Sequence, residues 1–159
     1  MVGGLIALVV VLAVASAAGF VLRQRQGRFR PAASGTGAVT GQPAFSGDVL
    51  SATDLGAPLG ARATLVQFST EVCAYCGPTR ELLTEVARAR DGVAFIEVDA
   101  AERLDLVRRL NVLSTPTVLV LTADGSIAQR AAGLPRKSDV LAAVGSVLHV
   151  GSDRGPAGE

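Results

Sequence analysis

Two cysteines, Cys73 and Cys76, separate a short apolar run from a stretch with helical periodicity, and this arrangement limits the folds open to the chain. They are the only cysteines among its 159 residues. The preceding run, ATLVQFS at 63–69, is rich in branched and aromatic residues, as is typical of a buried strand. Apolar residues then recur at helical spacing, namely Leu82, Leu83, Val86 and Ala87. The sequence therefore predicts a strand, a dithiol turn and a helix in succession.

The Cys-x-x-Cys pair is predicted to lie at the start of that helix, where thiol chemistry is favoured. Unpaired amide N–H groups and the positive end of the helix dipole stabilise a thiolate there, which lowers the pKa of the first cysteine and makes it a nucleophile. Two intervening residues bring the second sulfur within reach, so it can resolve a mixed disulfide. Cys73 is the candidate attacking residue and Cys76 the candidate resolving residue.

Two other interpretations of the pair are open on spacing alone. A zinc site normally has four ligands, whereas the chain offers these two cysteines and one distant histidine, His149. A metal site would thus need carboxylates or a second chain, and we predict none. The pair could also be two ordinary buried thiols without a chemical role.

The rest of the central region alternates strand and helix patterns. VAFIEVDA (93–100) and TPTVLVLT (115–122) are typical of strands, and IAQRAAG (127–133) follows the turn ADGS (123–126) as an antiparallel partner. Helical spacing marks one segment between the first two of these strands and one after the hairpin: Leu104, Val107 and Leu110, then Val140, Leu141, Val144, Val147 and Leu148. This order predicts an α/β sandwich with a mixed sheet.

These motifs resemble the thioredoxin family over essentially the whole of residues 48–150. LVQFSTEVCAYC (65–76) is similar to the family's strand, short loop and active-site dithiol, and the interval from Phe68 to Cys73 matches the family's own. STPTVLVL (114–121) is similar to its cis-proline loop and the strand that follows. The resemblance implies a thioredoxin-like three-layer sandwich with a mixed central sheet, and thiol–disulfide oxidoreductase activity.

The resemblance also assigns roles to residues outside the dithiol. It implies that Pro116 is cis and faces the cysteines, and that the backbone of Thr115 pairs with a substrate chain. Ala74 and Tyr75, between the cysteines, would also contact substrate. AAGLPRKSDV (131–140) resembles the family's glycine turn before the last helix, which gives Gly133 a supporting role. The redox-active Cys73–Cys76 disulfide would then serve in place of a bound cofactor.

The sequence departs from the family at four positions near the dithiol. Gln67 stands where the family has a buried acid, so proton transfer to the resolving thiol would pass through water or another group. Val72 replaces the tryptophan before the first cysteine, and Ala-Tyr replaces Gly-Pro between the cysteines. The expected partners are protein or small-molecule thiols and disulfides, together with an electron donor or acceptor whose identity the sequence does not give.

Three alternatives to this assignment stay open. CGPT at 76–79 offers a second register, in which Cys76 is the first family cysteine and Thr79 replaces the second. TEVC at 70–73 is similar to part of the peroxiredoxin motif, and a true match would make the protein a thiol peroxidase. Val66, however, stands where that motif has proline. The chain could also be a redox-responsive binding module with little turnover, holding a partner in the groove beside Thr115 and Pro116.

The N-terminal region has a different composition. Residues 2–22 contain no charged residue and no proline, and such a run is long enough to cross a bilayer as a helix. We therefore predict a single-pass anchor at 1–22, a basic juxtamembrane segment and flexible linker at 23–47, a thioredoxin-like domain at 48–150 and a disordered tail at 151–159. The alternative for the apolar run is a signal peptide cleaved near ASAA (15–18), but no basic residue precedes the run.

The charge pattern predicts orientation and excludes one class of partner. Four arginines follow the apolar run directly: Arg23, Arg25, Arg28 and Arg30. Because basic flanks stay on the cytoplasmic side, we predict a cell-membrane protein with a cytoplasmic domain, and an extracytoplasmic domain as the alternative. The chain has 15 basic and 14 acidic residues in all, so the region after these arginines is mildly acidic and lacks the basic patch of a nucleic-acid-binding protein.

Overall fold

A computed structural model describes residues 10–19, 28–31 and 49–153. Helices and strands alternate through its main part as the sequence pattern predicts. The N-terminal part contributes α1 (residues 10–19) and the two-residue strand β1 (Arg30–Pro31). The remaining elements are α2 (Ala52–Leu55), β2 (Ala63–Ser69), α3 (Cys76–Arg88), β3 (Val93–Asp99), α4 (Leu104–Arg109), β4 (Thr117–Thr122), β5 (Ile127–Ala132) and α5 (Lys137–Asp153).

The strands form one mixed sheet in the order β1-β5-β4-β2-β3. β2 and β3 are parallel, which requires a crossover connection, and α3 provides it. β4 lies antiparallel to β2 and to β5, so β2 is central and has a strand on each side. The mixed sheet predicted from the order of the elements is thus confirmed.

Helices cover both faces of the sheet, which gives three layers. On one face, Leu55 of α2 and Leu106 of α4 pack with Val66 and Phe68 of β2. On the other face, α3 and α5 pack against Leu65 and the β4 valines; the helix residues are Leu83, Val86, Val140, Val144 and Val147. Every residue of β2 is buried because both of its faces are covered, and this explains its continuous apolar run.

The alternation of β2 decides which residue lies beneath the dithiol. Val66 and Phe68 belong to the core under α4, whereas Leu65 belongs to the core under α3 and α5. Since strand residues alternate between faces, Gln67 shares the α3 face with Leu65. The side chain that replaces the family's acid therefore points toward the helix that begins with Cys76.

The predicted anchor at 1–22 lies largely outside the described residues, and so does most of the predicted segment 23–47. Residues 10–19 are helical, and Arg30–Pro31 pairs antiparallel with β5, a contact that the sequence pattern did not indicate. Within the ranges that the structure describes, no helix combines the length and hydrophobicity needed to cross a bilayer. α5 runs to Asp153, past the predicted domain limit at residue 150, and residues 154–159 of the predicted tail lie outside the description.

Candidate active site

The dithiol lies in the turn that connects β2 to α3. α3 begins at Cys76, with Tyr75 as its N-cap, so the pair lies at the start of the helix, as the sequence predicts. The amide of Cys76 donates to the Cys73 carbonyl at 3.2 Å, which closes a turn ahead of the helix. Cys73 therefore lies just before the helix N-terminus, and Cys76 is the first residue inside it.

The two cysteines are joined in a disulfide. Their sulfur atoms are 2.07 Å apart, and their Cα atoms are separated by 5.4 Å. The two sides of this bond differ in exposure, because Cys73 is only partly buried whereas the exposed fraction of Cys76 is 3%. A reagent in solvent can thus approach Cys73 and is kept from Cys76.

The first turn of α3 accommodates a proline and a buried threonine. Pro78 is its third residue, where a backbone N–H would have no partner within the helix, so the ring removes no helical hydrogen bond. Thr79 is fully buried, and its hydroxyl donates to the Tyr75 carbonyl at 2.7 Å. Because Cys76 is bonded to Cys73 and Thr79 is engaged in the helix, the geometry favours the Cys73–Cys76 frame over the CGPT register.

A second loop approaches the same end of the sheet. The Thr115–Pro116 peptide is cis, as the resemblance implies. The Thr115 hydroxyl lies 3.1 Å from the Thr70 hydroxyl, which belongs to the loop that leads to Cys73. This contact connects the proline loop with the dithiol loop, although the two are far apart in the sequence.

Gly133 supports the proline loop from the end of β5. Its amide donates to the Pro116 carbonyl at 2.8 Å, and its φ is +83°. That conformation favours glycine, since a side chain in the left-handed region costs about 1–2 kcal/mol. The structure therefore brings Gly133 into contact with the residue that the resemblance places opposite the cysteines.

Exposed apolar side chains border the three loops that carry Cys73, Pro116 and Gly133. They are Val72 (99% exposed), Leu113 (78%), Tyr75 (53%) and Leu134 (43%). Ala74, between the cysteines, is also exposed. Leu113 and Leu134 are not among the site residues predicted from the sequence. The available signal was their position, because each is an apolar residue in a loop within two residues of Thr115 or Gly133.

Gln67 lies against the dithiol from below, as the resemblance implies for the family's acid. Its side chain is fully buried, and Nε2 donates to the Cys76 carbonyl at 2.9 Å. Its Oε1 is buried as well and has no hydrogen-bond partner among the residues that the structure describes. The second residue of the dithiol is therefore anchored by an amide that cannot titrate.

An ion pair beside Gln67 ties α3 to β3. Glu97 is the register partner of Gln67 on β3, and its carboxylate accepts two bonds from the Arg80 guanidinium, at 2.6 and 2.7 Å. The Arg80 hydrogen bond is the main reason that the pKa of Glu97 is lowered, and a bond from Ser69 acts in the same direction. The Arg80–Glu97 pair was not predicted from the sequence. The two residues are 17 positions apart, and only the pairing of β2 with β3 brings Glu97 close to α3.

We expect Glu97→Gln to reduce the acid sensitivity of folding. Because the folded pKa of Glu97 is lowered, the ion pair stabilises the protein above the ordinary pKa of 4.5, and this contribution is lost as pH falls through the folded value. The variant should therefore be less stable than the wild type near neutral pH and approach it at an acidic pH below the folded pKa of Glu97. Urea unfolding at both pH values measures this difference.

Glu102→Gln is the control for that experiment, since it removes the charge of an exposed carboxylate. It should follow the wild-type pH dependence. A constant gap between the Glu97→Gln variant and the wild type across the pH range would show that the ion pair does not contribute through ionisation.

Within residues 10–19, 28–31 and 49–153, no group of three or more histidine, cysteine or acidic side chains is placed to hold a metal ion. His149, the one histidine considered for a zinc site, is exposed on α5. In the structure the two cysteines are bonded to each other.

Comparison with known proteins agrees with this geometry. The family model for thioredoxin matches residues 53–145, which is more than half of the chain. No curated protein sequence matches this chain. Among solved structures, a malarial protein aligns over 55% of this chain and 98% of its own, with 18% identity and a TM-score of 0.50.

Two further solved structures align with this chain to a similar extent. Thioredoxin-2, described as a component of the protein secretion machinery of the malaria parasite, covers 54% of this chain and 82% of its own at 17% identity and a TM-score of 0.50. A mutant thioredoxin from Halobacterium salinarum covers 55% and 75% at 20% identity and the same TM-score. At these identities the structures support the fold alone.

The sequence match and the geometry lead to one assignment. The matched residues contain four of the five strands of the mixed sheet, the turn between β2 and α3 and the cis peptide before β4. A Cys-x-x-Cys pair at disulfide distance in this position is consistent with thiol–disulfide oxidoreductase activity, and a domain of this kind implies thiol or disulfide protein substrates. The chain belongs to the thioredoxin family.

Proposed function

We propose that the protein is a thiol–disulfide oxidoreductase in which Cys73 is the nucleophile and Cys76 the resolving residue. The observation that supports these roles is the difference in exposure between the two cysteines. Cys73 is accessible at the turn before α3, whereas Cys76 is buried in the first turn of the helix. A substrate sulfur can therefore reach the first cysteine directly, and the second is sheltered from it.

The proposed reaction is two successive exchanges. The Cys73 thiolate attacks one sulfur of a substrate disulfide, so a Cys73–substrate bond forms and the other substrate sulfur leaves as a thiolate. The Cys76 thiolate then attacks Cys73, which forms the Cys73–Cys76 disulfide and releases the second substrate thiol. Two electrons pass from the protein dithiol to the substrate, and the reverse sequence oxidises a substrate dithiol.

The helix N-terminus is the source of nucleophile activation. Cys73 lies in the turn that leads into α3, three residues before Cys76, and the first turn of α3 carries the positive end of the helix dipole. Pro78 has no N–H, and the amides of Cys76 and Thr79 donate to the Cys73 and Tyr75 carbonyls. The Gly77 amide is the remaining backbone donor among these four residues. In the reduced protein, these surroundings favour a thiolate at Cys73.

We further propose that the substrate is an extended peptide segment that lies across the exposed apolar side chains. Val72 and Tyr75 adjoin the cysteines, and Leu113 and Leu134 lie beyond the proline loop. The backbone of Thr115 would pair with the segment, as the family resemblance implies, and Ala74 is small enough to leave the approach to Cys73 open. Apolar contacts of this kind bind many sequences with little selectivity, which suits a broad range of protein disulfides.

Reduction of insulin disulfides with a dithiol donor tests this proposal. Catalysed precipitation of the insulin B chain supports an oxidoreductase. Stoichiometric binding of a partner without turnover would instead support the redox-responsive binding module. Consumption of hydrogen peroxide that depends on Cys73 would support the thiol peroxidase, and both outcomes would overturn the proposed function.

We also propose that residues 1–22 tether the domain to the cell membrane, with residues 23–47 as the connection. Support for this comes from the sequence: the uncharged apolar run and the arginines that follow it. The same arginines support a domain on the cytoplasmic side, where thiols are kept reduced. Labelling of Cys73 in intact cells with a membrane-impermeant maleimide tests this orientation, since a cytoplasmic thiol stays unlabelled until the cells are permeabilised.

The thioredoxin-like domain without residues 1–30 should be a monomer that forms its disulfide internally. The reason is local, because the Cys73–Cys76 bond closes a turn within one chain and its Cα separation of 5.4 Å needs no partner. Mass spectrometry of the oxidised fragment should show one chain that has lost two hydrogens. Disulfide-linked dimers as the main product would contradict this expectation.

A further inference from the structure

Gln67 is the least satisfied buried polar residue near the dithiol. Nε2 donates to the Cys76 carbonyl at 2.9 Å, which fixes the amide against the first residue of α3. Oε1 is fully buried and has no partner among the described residues. A buried acceptor without a donor is uncommon in folded proteins, because it loses its bonds to water and gains none in return.

Among the described residues, no group donates to Oε1 while the disulfide is intact. The register partners of Gln67 are Val118 on β4, which has no polar side-chain atom, and Glu97 on β3, whose carboxylate accepts from Arg80. The nearby Thr79 hydroxyl is engaged with the Tyr75 carbonyl. A new donor arises here when the disulfide is reduced, because Cys76 then carries an S–H group.

We propose that Gln67 is a positioning residue whose Oε1 accepts a hydrogen bond from the Cys76 thiol in the reduced protein. Two external thiols break the Cys73–Cys76 bond, are themselves oxidised to a disulfide, and leave one hydrogen on each protein sulfur. The Cys76 hydrogen then satisfies the acceptor that is unpartnered in the oxidised form. Gln67 thereby stabilises the dithiol relative to the disulfide. This role concerns the redox equilibrium and holds whichever substrate the protein uses.

Equilibration of the full-length protein with glutathione redox buffers tests the proposal. Gln67→Met keeps the length of the side chain and removes both polar atoms, so the reduced form no longer gains a bond. We expect the equilibrium to shift about tenfold toward the disulfide, which is about 30 mV more negative for a two-electron couple. An unchanged potential, or a shift toward the dithiol, would overturn the proposal.

Thr64→Val is the matched control. Thr64 is a fully buried polar residue of the same strand, where it accepts from the Gly60 amide, and it lies at the opposite end of β2 from the dithiol. Its replacement should destabilise the oxidised and reduced forms equally and leave the potential unchanged. An equal shift in the control and in the Gln67→Met variant would mean that general loss of buried polarity is responsible, and would refute a specific role for Gln67.

Infrared spectroscopy provides a second, independent measurement. In Cys73→Ser the single remaining thiol is Cys76, so the S–H stretching band reports on one group. We expect this band at the lowered frequency of a hydrogen-bonded thiol, and at a higher frequency when Gln67→Met is added. Identical bands in the two proteins would show that Oε1 does not accept from Cys76, even if the potential had shifted.

Discussion

Cys73→Ser is expected to reduce the turnover of insulin disulfides to the uncatalysed rate. Cys73 is the accessible member of the pair, and Cys76 is 3% exposed within the first turn of α3. A serine hydroxyl cannot replace the thiolate, because its proton is far too tightly held for it to attack sulfur near neutral pH. Activity measured against the wild type at equal concentration of folded protein tests this result.

The matched variant is Cys76→Ser, which should retain the first step and lose the second. Attack by Cys73 still forms a mixed disulfide, but no resolving thiol is present to release it. The variant should therefore accumulate a covalent complex with substrate, visible on a non-reducing gel and absent after treatment with dithiothreitol. Trapped complexes in Cys73→Ser instead, or preferential alkylation of Cys76 by iodoacetamide in the reduced wild type, would reverse the two roles.

Much of the fold follows from local patterns in the sequence. A continuous apolar run predicted β2, and residues at helical spacing predicted α3, because β2 is covered on both faces and α3 on one. The Cys-x-x-Cys motif between them placed the candidate site. α3 itself begins at the second cysteine, since the turn from Cys73 to Cys76 closes with a single backbone bond before helical hydrogen bonding begins.

Contacts that depend on how the strands pair could not be predicted from the sequence. The partnership of Gln67 with the Cys76 carbonyl needs both the face of β2 and the position of α3 above it. The Arg80–Glu97 pair likewise needs the parallel register of β2 and β3. The alternation of side chains along a strand predicts which residues share a face of the sheet. It does not predict which of the two faces a given helix covers. The cis isomer of Pro116 came from the family resemblance, because Thr-Pro permits both isomers.

Phe68→Ala should cause the largest loss of stability among single substitutions near the site. Phe68 is fully buried at the end of β2 and packs in the core beneath α2 and α4. Removal of a buried phenylalanine side chain typically costs about 3–5 kcal/mol, because apolar contacts are lost and a cavity remains. Since small domains are stable by only about 5–15 kcal/mol, the variant should unfold at a much lower urea concentration.

Phe95→Ala provides the same chemical change at a less buried position. Phe95 lies on β3, next to Leu65 in the register, and is only partly buried against the core under α3 and α5. Its loss should be clearly smaller, and equal losses would show that burial in the described core does not decide stability. If Phe68→Ala does not fold, Phe68→Leu tests the same argument with a smaller loss of stability.

Because Phe68 precedes the dithiol loop by one strand residue, a folded Phe68→Ala protein should also bind substrate less well. Separate measurement of KM and kcat would detect this effect.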